Sequence, residues 1–255
     1  MTPRSRSGNE VIRFATQRPD SGKYFDGEPS QINPQGTWIA GPNRWRPHFF
    51  DHFEGKALHP RWNLQDTSSA GAPTSAGVNA IDGLWSLKLA STNEAETYGI
   101  NFGDLLNYSP HGLVVKFGFT VAAALSTSRR IIIGMGSAHN DTLDNIASNA
   151  WFKIDADANL VVESDDGTTD NDDKDTTIDL TAGQLIHCRI EILSPTAVYF
   201  FAGTGSTSIP KRVQAGTTFS VSTSLLQPMA IVQKDSGTTQ DDLRIDYFGV
   251  YPTRG

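Results

Sequence analysis

Apolar side chains recur at every second position through most of this chain. In 112–121 (GLVVKFGFTV), Leu113, Val115, Phe117, Phe119 and Val121 fall on one face, and Val114, Lys116, Gly118 and Thr120 on the other. Residues 129–135 continue the pattern with Ile131, Ile133 and Met135. In 185–193 (LIHCRIEIL), Ile186, Cys188, Ile190 and Ile192 alternate with His187, Arg189 and Glu191. Leu87 and Leu89 flank Lys88 in 84–90, and Val198, Phe200 and Ala202 follow in 196–202. The last apolar stretch, 243–251 (LRIDYFGVY), alternates less cleanly and predicts a strand covered on both faces. An extended backbone sends successive side chains to opposite sides, so each period-two run predicts a half-buried strand. Clusters of Gly, Ser, Asn and Asp separate the runs, as between antiparallel neighbours. Two short linkers predict hairpins: ADAN at 156–159, between WFKID and LVVES, and SPT at 194–196. Helical spacing occurs around 140–148, where Leu143 precedes Ile146 and Ala147 behind an Asp141 cap. The expectation for residues 47–255 is an all-β body, a two-sheet sandwich or a jelly roll.

Residues 1–46 break this pattern. Pro3, Pro19, Pro29, Pro34 and Pro42 are interspersed with Gly8, Gly22, Gly27, Gly36 and Gly41. Pro and Gly at this density prevent long regular elements. The segment nevertheless carries Phe14, Tyr24, Phe25, Trp38 and Trp45, whereas disordered chains are usually poor in aromatic residues. It reads as an extended arm whose rings anchor on a surface, either its own domain or a neighbouring subunit. Aromatic residues and Arg are favoured interface anchors. The partner-binding candidates are therefore Arg4, Arg6, Arg13, Phe14, Tyr24, Phe25, Trp38, Arg44, Trp45 and Arg46.

Charge sharpens the division. The 255 residues hold 21 basic and 28 acidic side chains, for a net −7. The arm holds seven basic and four acidic ones, so it carries +3 and the remainder −10. An acidic body argues against a nucleic-acid partner, which needs basic surface to displace counterions. Opposite charges on arm and body suit contact between one copy and the next. Cys188 is the single cysteine, which excludes a disulfide framework and multi-cysteine metal sites. The start, MTPRSRSGNEV, has no apolar signal-peptide core, and no apolar run reaches the roughly 18 residues of a membrane span. The expectation is a protein assembled inside a cell, with no membrane partner.

Two stretches carry a likeness to a known family. Asp51, Phe53, Gly55, Leu58 and Trp62 in FFDHFEGKALHPRWNL (49–64) resemble the D-x-F-x-G-x-x-L-x-x-x-W opening of concanavalin A-like jelly rolls, the laminarinase and laminin-G-like group. IDYFGVY (245–251), within LQPMAIVQKDSGTTQDDLRIDYFGVY (226–251), resembles that fold's closing strand. TAGQLIHCRIEIL (181–193) with VYFF (198–201) resembles its central hairpin. The resemblance spans about residues 49–251. It implies a concanavalin A-like jelly-roll sandwich of two antiparallel sheets, here preceded by the extended N-terminal arm. Domains of this type also occur in virion structural proteins of tailed bacteriophages. The Ser/Thr/Gly-rich strands, lone cysteine and proline-rich leader are similar to those proteins in style.

The expectation drawn from this resemblance is a non-enzymatic decoration or cement protein on the capsid exterior of a bacteriophage virion, assembled in the host cytoplasm. Its partners would be the major capsid protein and copies of itself, with a homotrimer implied by the resemblance alone. The alternative is a carbohydrate-binding, lectin-like module of a phage fibre that meets surface glycans. A degenerate laminarinase-like glycosidase is the second alternative.

Candidate chemistry shapes these choices. The laminarinase group places its carboxylates on one strand face through E-x-D-x-x-E, and this chain has no such motif. Glu94 and Glu96 lack a third acid, and Glu191 and Asp246 stand alone, so no catalytic residue is expected. His187, Arg189 and Glu191 share one strand face, as a glycan or partner patch or as a solvated face. Trp85 and Trp151 are candidates for exposed rings on a glycan-binding sheet. The run ESDDGTTDNDDKD (163–175) holds Glu163, Asp165, Asp166, Asp170, Asp172, Asp173 and Asp175. It reads as a solvated loop whose carboxylates suit calcium, the one cofactor to consider. Asp155, Asp157 and Asn159 begin like an EF-hand loop, but Leu160 stands where that loop needs glycine.

Overall fold

The computed structural model describes residues 31–32, 38–39, 47–54, 57–79, 83–121, 129–154, 158–205 and 209–253. The backbone divides into two units, Met1–Arg46 and Pro47–Gly255. In the first, β1 (Gln31–Ile32) and β2 (Trp38–Ile39) pair antiparallel. Arg4, Arg6, Arg13, Phe14, Tyr24, Phe25, Arg44, Trp45 and Arg46 lie outside the described residues.

The second unit begins with β3 (Phe49–Asp51), β4 (Asn63–Asp66), β5 (Thr74–Asn79), β6 (Leu84–Lys88) and β7 (Glu96–Asn101). The long strands β8 (Leu113–Val121), β9 (Arg129–Gly136), β10 (Asn149–Ile154), β11 (Asn159–Asp165) and β12 (Asp170–Asp179) follow. Last come β13 (Ile186–Ser194), β14 (Ala197–Thr204), β15 (Lys211–Val213), β16 (Gln227–Lys234) and β17 (Asp242–Pro252). They form two antiparallel sheets. The seven-stranded sheet runs β12-β11-β10-β9-β16-β7-β4. The eight-stranded one runs β15-β14-β13-β8-β17-β6-β5, with β3 also on β17. This is an all-β jelly-roll sandwich, as the resemblance implies and within the two architectures that the period-two pattern leaves open.

The predicted inward residues meet between the sheets, joined by Phe152, Leu160 and Val162. Val115, Phe117, Phe119, Ile190 and Phe200 from one sheet pack with Ile131, Ile133, Phe152, Leu160 and Val162 from the other. Phe152 joins the layers through edge contacts to Phe117 and Phe200, with ring centroids 5.8 and 5.5 Å apart. The opening motif is a local brace. Asp51 accepts the Phe53 backbone N–H through Oδ1 at 2.8 Å and the Trp62 indole N–H through Oδ2 at 2.9 Å. Phe53 then stacks on Trp62.

Two local expectations are corrected. Residues 140–148 form only a 3-10 turn, Leu143–Asn145, and Thr142 makes no side-chain cap. The carbonyl of Asp141 accepts Thr97 Oγ1 and Gln233 Nε2, which ties the backbone to the sheet. Leu143 and Ile146 bury on the outer face of the seven-stranded sheet with Ile132, Trp151, Met229 and Ile231. Packing outweighs helical spacing in so short a segment. The acidic run is also not one loop. It ends β11, turns through residues 166–169, and starts β12. The Asp166 carboxylate accepts the Thr168 and Thr169 N–H groups at 2.8 and 2.7 Å and so closes the turn.

Candidate functional site

His187, Arg189 and Glu191 stand together on the outer face of the eight-stranded sheet. Arg189 lies between Phe201 on β14 and Lys116 on β8, and Glu191 between Tyr199 and Val114. Arg189 Nε sits 3.2 Å from Glu191 Oε1, an ion pair along one strand rather than across two. His187 Nδ1 is 3.1 Å from the Tyr247 hydroxyl, and the two rings stack. Burial pushes the Tyr247 phenol up, so it stays protonated at neutral pH.

The face is richer in rings than that triad indicates. Phe50, Tyr199, Phe201, Tyr247 and Tyr251 all lie half-buried on it. Arg189 covers Phe201 with its guanidinium 3.9 Å from the ring centroid, Arg212 covers Tyr199 at 4.4 Å, and Lys116 approaches Tyr251 at 5.4 Å. Glycines make the floor. A Cβ at Gly118 would meet Tyr247 Cε1 at 2.6 Å, and one at Gly249 would meet Phe50 Cδ2 at 2.7 Å. Only glycine lets these rings lie flat on the strands. The sequence signal for them was present: glycine inside a strand marks close approach, and Tyr247, Gly249 and Tyr251 alternate.

The tryptophans proposed for a glycan-binding face do not serve it. Trp85 is in the core and donates its indole N–H to Ser75 Oγ at 2.6 Å. Trp151 faces outward from the seven-stranded sheet, but Leu143 and Ile146 cover it. The isolated glutamates are likewise used elsewhere. Glu96 pairs with Lys234 at 2.9 Å, both fully buried. Glu94 accepts the N–H groups of Ser69, Ala70 and Gly71.

A second constellation lies on the outer face of the seven-stranded sheet. Glu163 on β11 pairs in register with Trp151 on β10. Lys153 Nζ is 3.3 Å from Glu163 Oε2 and 2.7 Å from Asp173 Oδ1. Carboxylate oxygens of Glu163, Asp170 and Asp172 lie within 4.8 Å of one another. Burial pushes the Glu163 carboxyl up to about 7, against the opposing pull of the Lys153 ammonium and the Trp151 indole N–H. Desolvation and the neighbouring Asp172 carboxyl raise Asp170 to about 6. Asp155 and Asp157 of the EF-hand-like start lie outside the described residues.

No known protein family matches the sequence, and no characterised protein matches it by sequence. Solved structures do match the fold. SCLam, a non-specific endo-β-1,3(4)-glucanase from family GH16, aligns with TM-score 0.55 and 10% identity over 85% of this chain and 94% of its own. The endo-β-1,4-glucuronan lyase of the fungus Trichoderma reesei gives 0.54 and 10%, over 82% and 96%. The Emp47p carbohydrate recognition domain gives 0.52 and 9%, over 84% and 100%. The fold is therefore the concanavalin A-like jelly roll of lectin and glucanase domains.

These matches correct the expectation of a non-enzyme. Two of the three are enzymes, so this fold does not argue for an inert protein. The E-x-D-x-x-E test was also too narrow in physical terms. It examines carboxylates on a single strand, whereas a sheet face gathers them from neighbouring strands, as with Glu163, Asp170 and Asp172.

Proposed function

We propose that this protein binds glycans, with a preference for acidic ones, on the outer face of its eight-stranded sheet. One observation carries the reading: half-buried aromatic rings lie on a glycine floor beside Lys116, Arg189 and Arg212. Phe50 and Tyr247, which pack over Gly249 and Gly118, offer ring faces to the apolar faces of sugars. The guanidinium and ammonium groups, on a body that is acidic overall, favour carboxylate or sulfate substituents. Glu191 and His187 supply acceptor and donor groups for hydroxyls. Two of the matched structures support this reading, a carbohydrate recognition domain and an enzyme named for glucuronan. The capsid-decoration reading rests on the arm and has no such match behind it.

The test is an array that presents uronate-containing and neutral oligosaccharides side by side. The full chain retains uronate-containing ligands, and Phe50→Ala and Arg212→Ala each weaken retention about tenfold, roughly 1.4 kcal/mol. No binding, or binding unchanged in both variants, overturns the assignment of this face. Reducing-end release measured on the same glycans tells whether a bound glycan is also cleaved.

A further inference from the structure

The cluster around Glu163 gathers more negative charge than the one lysine beside it, Lys153, offsets. Four carboxylates, Glu163, Asp170, Asp172 and Asp173, meet at the β11–β12 edge, and Asp144 adds its repulsion to Asp170. Lys153 is divided between two of them, closer to Asp173 than to Glu163. The backbone is bent to make this happen. Register shifts between Val162 and Ser164, where Asn171 and Lys174 are the partners on β12, so Asp172 and Asp173 bulge opposite Glu163. Asp173 takes φ 47°, a left-handed conformation that costs energy in a non-glycine residue. The bulge keeps Asp172 near Glu163 while Asp173 shares Lys153 with it.

Asn149 provides an independent sign of a missing ligand. It is 2% exposed, and its Nδ2 donates to Glu163 Oε1 at 3.3 Å. Its Oδ1 is buried and accepts no hydrogen bond. A buried amide oxygen without a donor costs about 1–3 kcal/mol. A cation beside the Glu163 carboxylate would satisfy this oxygen and the carboxylates together.

We propose that Glu163, Asp170, Asp172 and Asn149 form a calcium site at the β11–β12 edge. The donors are all hard oxygens, with no nitrogen or sulfur among them, and three are carboxylates. Calcium accepts six to eight such oxygens in irregular geometry, and water fills the exposed side at Asp170 and Asp172. Magnesium demands a tighter octahedron. The proposal stands apart from the glycan reading, because the cluster is on the other sheet and its test uses no glycan.

The test is calorimetric titration of the full chain with calcium chloride near pH 7. The expected result is one calcium per chain with a Kd of roughly 10⁻⁴ to 10⁻³ M. Asp170→Asn and Asp172→Asn, both at exposed positions, each weaken binding about tenfold, while Asp235→Asn on a distant turn changes nothing. No binding up to about 10 mM calcium overturns the site. So does binding that both cluster variants leave unchanged, or magnesium binding as tight as calcium.

Discussion

Glu94 and Glu163 are the same side chain in opposite surroundings, and they respond to pH with opposite sign. Backbone N–H groups of Ser69 and Ala70, with the Ser69 and Thr92 hydroxyls, hold Glu94 down from 4.5 to about 2. Its contribution to stability is full above pH 4.5 and disappears as the pH falls toward 2. Burial raises Glu163 from 4.5 to about 7, so the folded state binds its proton more tightly than the unfolded chain does. Glu163 therefore costs nothing below pH 4.5 and costs progressively more until about pH 7, reaching roughly 3 kcal/mol. Urea unfolding in a calcium chelator should show stability falling from pH 4.5 to 7, and Glu163→Gln should flatten that fall. Glu94→Gln should instead flatten the acid limb below pH 4.5. A wild-type curve level between pH 5 and 7 would refute the Glu163 assignment.

Among elements, the clearest contrast is between β13 and β12. Ile186, Cys188, Ile190 and Ile192 state their own burial, because a central strand must place one face in the core. DNDDKDTTID offers no such period, yet it forms the ten-residue strand β12. It is an edge strand, so its charges blunt an open ladder rather than fill a core. Its second register shift contains Thr177 at φ 63°, a strained conformation for a β-branched side chain. Thr177 is exposed, and its N–H donation to Asp175 Oδ1 survives substitution. Thr177→Gly should raise unfolding free energy by about 1 kcal/mol. A loss of stability in the same urea titration would show that the threonine side chain contributes more than the strain costs. Residues 140–148 teach the complementary lesson. Their apolar spacing was legible, but the partner for Leu143 and Ile146 is a sheet face set by strands far away in sequence.

At the scale of the whole molecule, the two-sheet core formed by the described residues runs from Phe49 to Val250. The first strand paired to it begins at Phe49, which registers with Val250 near the other end. A chain that starts at Pro47 should therefore fold cooperatively, with Tm within about 5 °C of the full protein by calorimetry. Loss of cooperative unfolding would place residues 1–46 inside the folding unit and overturn the proposed domain boundary. The same closure explains where function can reside. Trp85, Trp151 and the Glu96–Lys234 pair are consumed by burial, which leaves the outer faces of the two sheets for ligands.

Period-two burial, turn chemistry and the Asp51–Trp62 brace are properties of short stretches of chain, so the sequence alone determined the all-β fold and most of its inward residues. It also determined that His187, Arg189 and Glu191 share a face, since alternation along one strand requires it. The tertiary structure decided what lies beside them. Tyr199, Phe201, Tyr247 and Phe50 reach that triad only through cross-strand register, which no single segment encodes. The same holds for the cluster of Glu163, Asn149 and Asp172, gathered from three strands and a bulge. Propensity acts along the chain, whereas a site depends on side chains that pairing and packing bring together from distant segments.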